Sequence, residues 1–215
     1  MFGAKAEIAA HEKGLDVELI MVPFEMKTLY QPKHPEVLRI NPKRQVPVLI
    51  DGDLEIFDST QIFEYFESIK PDPALWPAES KARARARLLE HKSDEVYFPP
   101  IVRLMGLQAT PDDPAAVDAR AAALAFYNGM EKEIADKEWL AGSYCYADIA
   151  FYMAQIFGDR MGAPMTDAHP RLQAWRDRVS ARPAVRKVAG AMGRYLLSQG
   201  RKLPAFLAKL TTTSP

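Results

Sequence analysis

The 215-residue sequence is 48% apolar and 26% charged, which excludes a mainly disordered chain and allows one large domain or two small ones. Its 28 Lys and Arg balance 28 Asp and Glu, with the signs interspersed, so charge argues against a nucleic-acid partner and against tight adhesion to an anionic membrane. Cys145 is the single cysteine and the four histidines lie far apart, which excludes an internal disulfide and offers no ligand set for a metal. The polar start, Met1-Phe2-Gly3-Ala4-Lys5, does not read as a signal peptide, and no apolar run reaches the length of about 18 residues that a membrane span needs. A cytoplasmic protein is the expectation.

In chain order, Glu7 to Lys13 lacks Gly and Pro and predicts a helix stopped at Gly14. Val17 to Val22 is a compact run with β-branched residues and predicts a strand. Val46-Pro47-Val48-Leu49-Ile50 predicts a second, which the Asp51-Gly52-Asp53 turn joins to Leu54-Glu55-Ile56-Phe57 as a hairpin. A helix should follow, with Ser59 as its N-cap and Ile62, Phe63, Phe66 and Ile69 at helical spacing. The character then changes, and residues 71–78 read as a proline-rich linker between a small α/β domain (1–70) and an all-helical one (79–215).

Beyond the linker, Glu79 to Val96 has helical composition, and Pro99-Pro100 should end or kink that helix. Its Lys81, Arg83, Arg85 and Arg87 alternate with alanines and form no single stripe, so a solvated or dimer-facing helix is expected rather than a nucleic-acid contact. Asp113 to Asp136 is Ala-rich and helical. Ile149, Met153, Ile156 and Phe157 mark a further helix, and Leu172, Trp175 and Val179 another, stopped by Arg182-Pro183. The tail from Thr211 to Pro215 should fray.

Two stretches offer chemistry. Pro47 stands at the start of a buried strand, where it needs a special position; a cis Val46–Pro47 bond would turn the Val46 backbone outward toward a ligand. Taken alone, the dipeptide fits a trans proline opening an edge strand better, since only about 5–6% of such bonds are cis. Asp58-Ser59 lies between a strand end and a helix start. Unpaired N–H groups and partial positive charge there suit a carboxylate, the Ser59 hydroxyl adds a donor, and Asp58 can take an ammonium group. Alone, this pair fits a plain helix cap.

In combination, the order Asn41-Pro42, Val46-Pro47-Val48-Leu49, Asp51-Gly52, then Asp58-Ser59 resembles the glutathione-binding half of bacterial-type cytosolic glutathione S-transferases. Glu12-Lys13-Gly14-Leu15, Trp139-Leu140-Ala141-Gly142, Ala147-Asp148-Ile149-Ala150 and Arg182-Pro183-Ala184-Val185 extend the resemblance over nearly the whole chain. It implies a thioredoxin-like N-terminal domain followed by an all-helical domain, a homodimer, and glutathione as co-substrate without a metal. The implied activity is conjugation or transfer of glutathione to a small electrophile, in detoxification. The alternative is a non-enzymatic module of the same fold that binds ligands or proteins. Carried over, Val46 and Pro47 would face the cysteinyl part of glutathione, Asp58 and Ser59 the γ-glutamyl end, and Gln45 or Arg44 the glycine carboxylate. Tyr97, Phe98 and Arg103, with Met105 and Tyr195, are candidates for the electrophile pocket.

The sequence departs from that family in two places. The thiol-activating Ser, Tyr or Cys, and the first strand that carries it, are expected upstream of Met1, so catalysis by these 215 residues should be impaired. Cys145 stands where the family has Ser or Thr capping a buried helix, three residues before Asp148. The expectation is a weaker cap and an inert, buried thiol.

Overall fold

The computed structural model describes residues 1–22 and 31–212. The chain folds as two compact units, Phe2–Pro73 and Ala74–Pro215, the second also including Met1.

In the first unit the described elements are α1 (Phe2–Glu12), α2 (Pro35–Ile40), β1 (Val48–Asp51), β2 (Leu54–Phe57) and α3 (Ser59–Ile69). Helix α1 stops where the sequence places Gly14: its φ of 59° lets the Leu15 N–H reach back to the Ala10 carbonyl at 2.9 Å. β1 and β2 pair antiparallel about Gly52 (φ 61°), with Leu49 opposite Ile56. Directly opposed residues share a face, so both reach the core that Ala6 and Ala10 of α1 form with Ile62 and Phe66 of α3.

Lys13 ties this unit shut. Its fully buried ammonium donates to the carbonyls of Lys70 (2.7 Å) and Pro73 (2.9 Å) and pairs with Glu67 at 2.6 Å. Lys70 returns a bond to the Gly14 carbonyl at 2.9 Å. Removing one partner of so buried a pair typically costs about 3–5 kcal/mol, because the other charge is left in a low-dielectric site.

Two expectations are corrected here, and one element is new. Val17–Val22 is not a strand: it pairs with no backbone among the described residues, and Leu19, Ile20 and Met21 are exposed. An apolar β-branched run marks strand propensity, but only a neighbouring ladder makes a strand. Helix α3 is capped by Asp58 rather than Ser59, whose place is the first helical turn. The six-residue α2 was not expected from the sequence. It is capped by His34, whose Nδ1 accepts the Glu36 N–H at 3.3 Å.

The second unit is helical throughout: α4 (Ser80–Lys92), a π-helical turn over Ser93–Tyr97, α5 (Phe98–Gly106), α6 (Pro114–Ile134), α7 (Tyr146–Arg160), α8 (Pro170–Ala181), α9 (Pro183–Ser198) and α10 (Ala205–Thr211). The helical stretch expected over Glu79–Val96 is present as α4 followed directly by the π-helical turn. Pro99 and Pro100 do not stop the helical stretch: they lie in the first turn of α5, directly after the π-helical turn. The expected tail ends as helix at Thr211, and Thr213, Ser214 and Pro215 lie outside the described residues.

Helix α7 is the centre: every residue from Tyr146 to Ile156 is buried. Around Phe151 stand Tyr97 (centroids 5.5 Å), Phe126 (5.4 Å) and Trp175 (5.2 Å). Asp148 fastens the start of α7. Its Oδ2 accepts the Cys145 N–H at 2.9 Å, and its Oδ1 accepts the Leu140 N–H (3.0 Å) and the Trp175 Nε1–H (2.8 Å). Glu131 of α6 likewise accepts the first N–H groups of α8, from Arg171 and Leu172. Both carboxylates serve orphan helix donors, so their role is structural.

Candidate functional site

The hairpin register decides which residues meet in the first unit. Val48 lies opposite Phe57. The residues just before β1, Val46 and Pro47, therefore lie beside the residues just after β2, Asp58 and Ser59, at the open end of the hairpin. The intervening chain is closed by the Gly52 turn. The Val46–Pro47 bond is cis.

Asp58 carries a φ of 78°, a left-handed conformation outside glycine that costs on the order of 1–3 kcal/mol unless its surroundings hold it. What holds it is the start of α3. One carboxylate oxygen, Oδ1, accepts both the Thr60 N–H (2.9 Å) and the Gln61 N–H (3.2 Å). The other, Oδ2, takes no part in the cap, and the residue is exposed. Ser59 is 1% exposed, so its hydroxyl lies beneath the surface at the positive end of α3. Arg44, on the other flank, also has a positive φ, 55°. The hairpin's open end is thus bracketed by two residues in the sparsely populated half of backbone space.

Beside Val46 lies a basin with a cavity of about 370 Å³ lined by Gln31, Pro32, Lys33, Leu38 and Arg44. A smaller recess continues from it along Lys33, His34, Arg44 and Val46. Lys33 Nζ donates to the Arg44 carbonyl at 2.7 Å, which fixes one cation against the backbone of the other. Asn41 supports this loop, donating to the Gln45 carbonyl (2.6 Å) and accepting the Lys43 N–H (2.9 Å). The Gln45 side chain is exposed. Sequence reasoning missed Lys33 and His34; the basic run after Pro32 was the available signal.

The hairpin is braced from both sides. Arg39 of α2 pairs with Glu36 and, at 2.5 Å, with Glu55 of β2. These two carboxylates push its pKa upward, and the bond to Arg39 lowers that of Glu36. Tyr65 of α3 donates to Asp51 at 2.6 Å, and that bond raises its pKa. A main-chain edge, a carboxylate oxygen, a helix N-terminus and two cations can together hold an extended, peptide-like ligand with one ammonium group and two carboxylates.

The residues expected to meet an electrophile lie in the helical unit. Tyr97 belongs to the core and not to a pocket wall: it is completely buried, and its hydroxyl bonds that of Tyr127, which donates in turn to the Ala163 carbonyl at 3.0 Å. Its aromatic character signalled either role, and only packing distinguishes them. Phe98 is half-buried, stacked on Phe157 at 5.3 Å, and Arg103 is exposed on α5. Cys145 is buried, and burial pushes its thiol pKa up, the opposite of a reactive cysteine. Among the described residues no group of three or more His, Cys, Asp or Glu could hold a metal ion, and no helix is long and apolar enough to cross a membrane.

Similarity to known proteins gives this arrangement a family. Residues 1–74 match the family described as Glutathione S-transferase, N-terminal domain, and residues 94–183 match Glutathione S-transferase, C-terminal domain. Glutathione S-transferase 3 of Zea mays is 31% identical, over 85% of this chain and 86% of its own length. A probable glutathione S-transferase of Oryza sativa subsp. japonica is 28% identical over 88% and 91%. The crystal structure of a glutathione S-transferase from Rhodospirillum rubrum superposes with a TM-score of 0.77 at 27% identity, covering 97% of this chain and 94% of that one. The chain, a thioredoxin-like domain followed by an all-helical domain, belongs to the cytosolic glutathione S-transferase superfamily.

Proposed function

We propose that the protein is a glutathione transferase that binds glutathione at the open end of the β1–β2 hairpin and transfers it to a small electrophile. The observation that supports the reading is the register: with Val48 opposite Phe57, Val46 and Asp58 both flank the open end of the hairpin, and Val46 also borders the Lys33–Arg44 recess. In this reading Val46 and Pro47 face the cysteinyl unit. The Oδ2 atom of Asp58 takes the γ-glutamyl ammonium, and Ser59, at the positive end of α3, takes the adjoining carboxylate. Arg44, or Gln45, meets the glycine carboxylate. Phe98 and Arg103 are proposed for the electrophile. A relative of the same fold from Pseudomonas fluorescens has two glutathione molecules bound, which supports the choice of thiol.

The test is calorimetric titration with glutathione beside turnover of a chloronitrobenzene substrate. Asp58→Asn keeps a capping oxygen and the fold but removes the charge that faces the ammonium. A charge-assisted hydrogen bond contributes about 1.5–3 kcal/mol, so the dissociation constant should rise roughly 10- to 150-fold with an unchanged melting temperature. Unaltered affinity in the variant would remove Asp58 from the site. Binding without turnover would leave a ligand-binding module and defeat the catalytic half of the proposal.

A further inference from the structure

The neutral whole-chain charge conceals a strong asymmetry. Glu138 is the last glutamate and Asp177 the last aspartate; the 38 residues that follow hold eight lysines and arginines and no acidic side chain. The balancing excess of acid lies entirely in residues 1–177. Six of the eight cations are exposed: Arg186, Lys187, Arg194, Arg201, Lys202 and Lys209. Among the described residues none of the six meets a carboxylate at ion-pair distance.

Helix stability accounts for Lys209, in the last turn of α10, but not for Arg186 and Lys187. Arg186 and Lys187 lie near the N-terminus of α9, where the helix carries partial positive charge and a cation is unfavourable, while the last turn of α9 has no basic residue. Packing gathers them instead. Helix α10 lies so close on α9 that a Cβ on Gly190 would stand 2.8 Å from the Leu210 carbonyl oxygen, and one on Gly193 would stand 2.6 Å from Thr211. That approach lays α10, which carries Lys209, against α9, where Lys187 and Arg194 stand seven residues apart on one helix face. Arg194 folds over Gly190, its guanidinium 3.5 Å from the same Cβ position. At the C-terminal end of α9, Arg201 and Lys202 follow directly. There Arg160, at the end of α7, has its pKa lowered by burial and by the like charge of Arg201, so a third cation borders the same corner.

Among these cations stand exposed apolar side chains: Leu197 is 50% exposed and Tyr195 41%. A chain of phosphates in water would offer Leu197 no burial. A bilayer interface offers burial and negative charge together, since basic residues are drawn to anionic headgroups while leucine and tyrosine enter the boundary layer.

We propose that the exposed faces of α9 and α10 form a docking surface for an anionic phospholipid bilayer, with Arg186, Lys187, Arg194, Arg201 and Lys209 against the headgroups and Leu197 entering between them. The full chain is tested by co-sedimentation with phosphatidylcholine vesicles, with and without phosphatidylserine, at low and high salt. Expected are binding only to the phosphatidylserine vesicles, release by salt, and affinity at least about tenfold lower in the double variant Lys187→Glu/Arg194→Glu. Leu197→Asn, which leaves the charge intact, should weaken binding several-fold. Circular dichroism and melting temperature check that each variant folds. Failure of the folded wild-type chain to sediment with phosphatidylserine vesicles at low salt overturns the proposal. So does binding to a nucleic-acid duplex or single strand that Leu197→Asn leaves untouched while vesicle binding is absent.

Discussion

At the scale of single residues, Asp58 and Ser59 divide a task that the sequence alone would give to either. The carboxylate is the stronger acceptor, so Asp58 takes the cap, with one oxygen satisfying two N–H groups of α3. Ser59 is thereby released from capping and buried at the helix end. If the Ser59 hydroxyl donates to a glutathione carboxylate, Ser59→Ala should weaken glutathione binding by about 1–3 kcal/mol, roughly 5- to 150-fold in the dissociation constant. Because Asp58 keeps the cap, the same substitution should leave the melting temperature nearly unchanged. Titration calorimetry and a thermal melt separate the two effects. A drop in stability with intact binding would show that the hydroxyl serves the fold and not the ligand.

At the scale of elements, the approach of α7 to the π-helical turn carries a sharp expectation. A Cβ on Gly158 would fall 1.9 Å from the Tyr97 hydroxyl oxygen and 3.2 Å from that of Tyr127. Helix propensity favours Ala over Gly by about 1 kcal/mol. Overpacking a closed core costs about 1–3 kcal/mol, and here the obstructing atom ends a rigid ring buried on all sides. The clash should win: Gly158→Ala is expected to lower the urea midpoint, whereas Gly158→Ala combined with Tyr97→Phe should recover part of the loss. A variant as stable as the parent would mean that Tyr97 has room to move. Elements with local signals were legible in the sequence, and those that depend on distant partners were not. The β1–β2 hairpin and α3 announce themselves through Asp51-Gly52 and a helical period of large apolar residues, which are local signals. The candidate site residues Val46 and Asp58 stood out only through the combined order of Val46-Pro47, Asp51-Gly52 and Asp58-Ser59, since each alone fits a plain strand start or helix cap. Helix α2 has six residues and a histidine cap, too little for periodicity to detect. Val17–Val22 has strand composition, but pairing is non-local. Tyr97 and Phe98 are adjacent aromatics of identical local signal, and only the packing of α5, α6 and α7 makes the first a core residue and the second half-exposed.

At the scale of the whole molecule, averages mislead in both charge and titration. The equal counts of acid and base suggested an indifferent surface, yet every acidic side chain precedes Arg178. The helical unit also buries ionisable hydroxyls that neutral pH does not reveal. Burial pushes Tyr152 up to about 12 despite its 2.8 Å bond to Ser180, and burial likewise pushes Tyr97 and Tyr127 well up. In the unfolded chain a tyrosine ionises near pH 10. Between about pH 10 and 12 the unfolded state therefore sheds protons that the native state keeps. With fewer protons bound in the unfolded state, stability falls as pH rises, and the contribution of these groups is fully present only below about pH 10. For Tyr152 alone, two pH units correspond to about 3 kcal/mol, a large part of the stability of an ordinary domain. Urea midpoints measured from pH 8 to pH 11 should fall steeply above pH 10. Tyr152→Phe removes the ionisable group while keeping the ring against Trp175 and Phe206, so its midpoint should start lower at pH 8, where the Ser180 bond is lost, and decline less. Parallel declines in parent and variant would place the alkaline sensitivity elsewhere than in this buried hydroxyl.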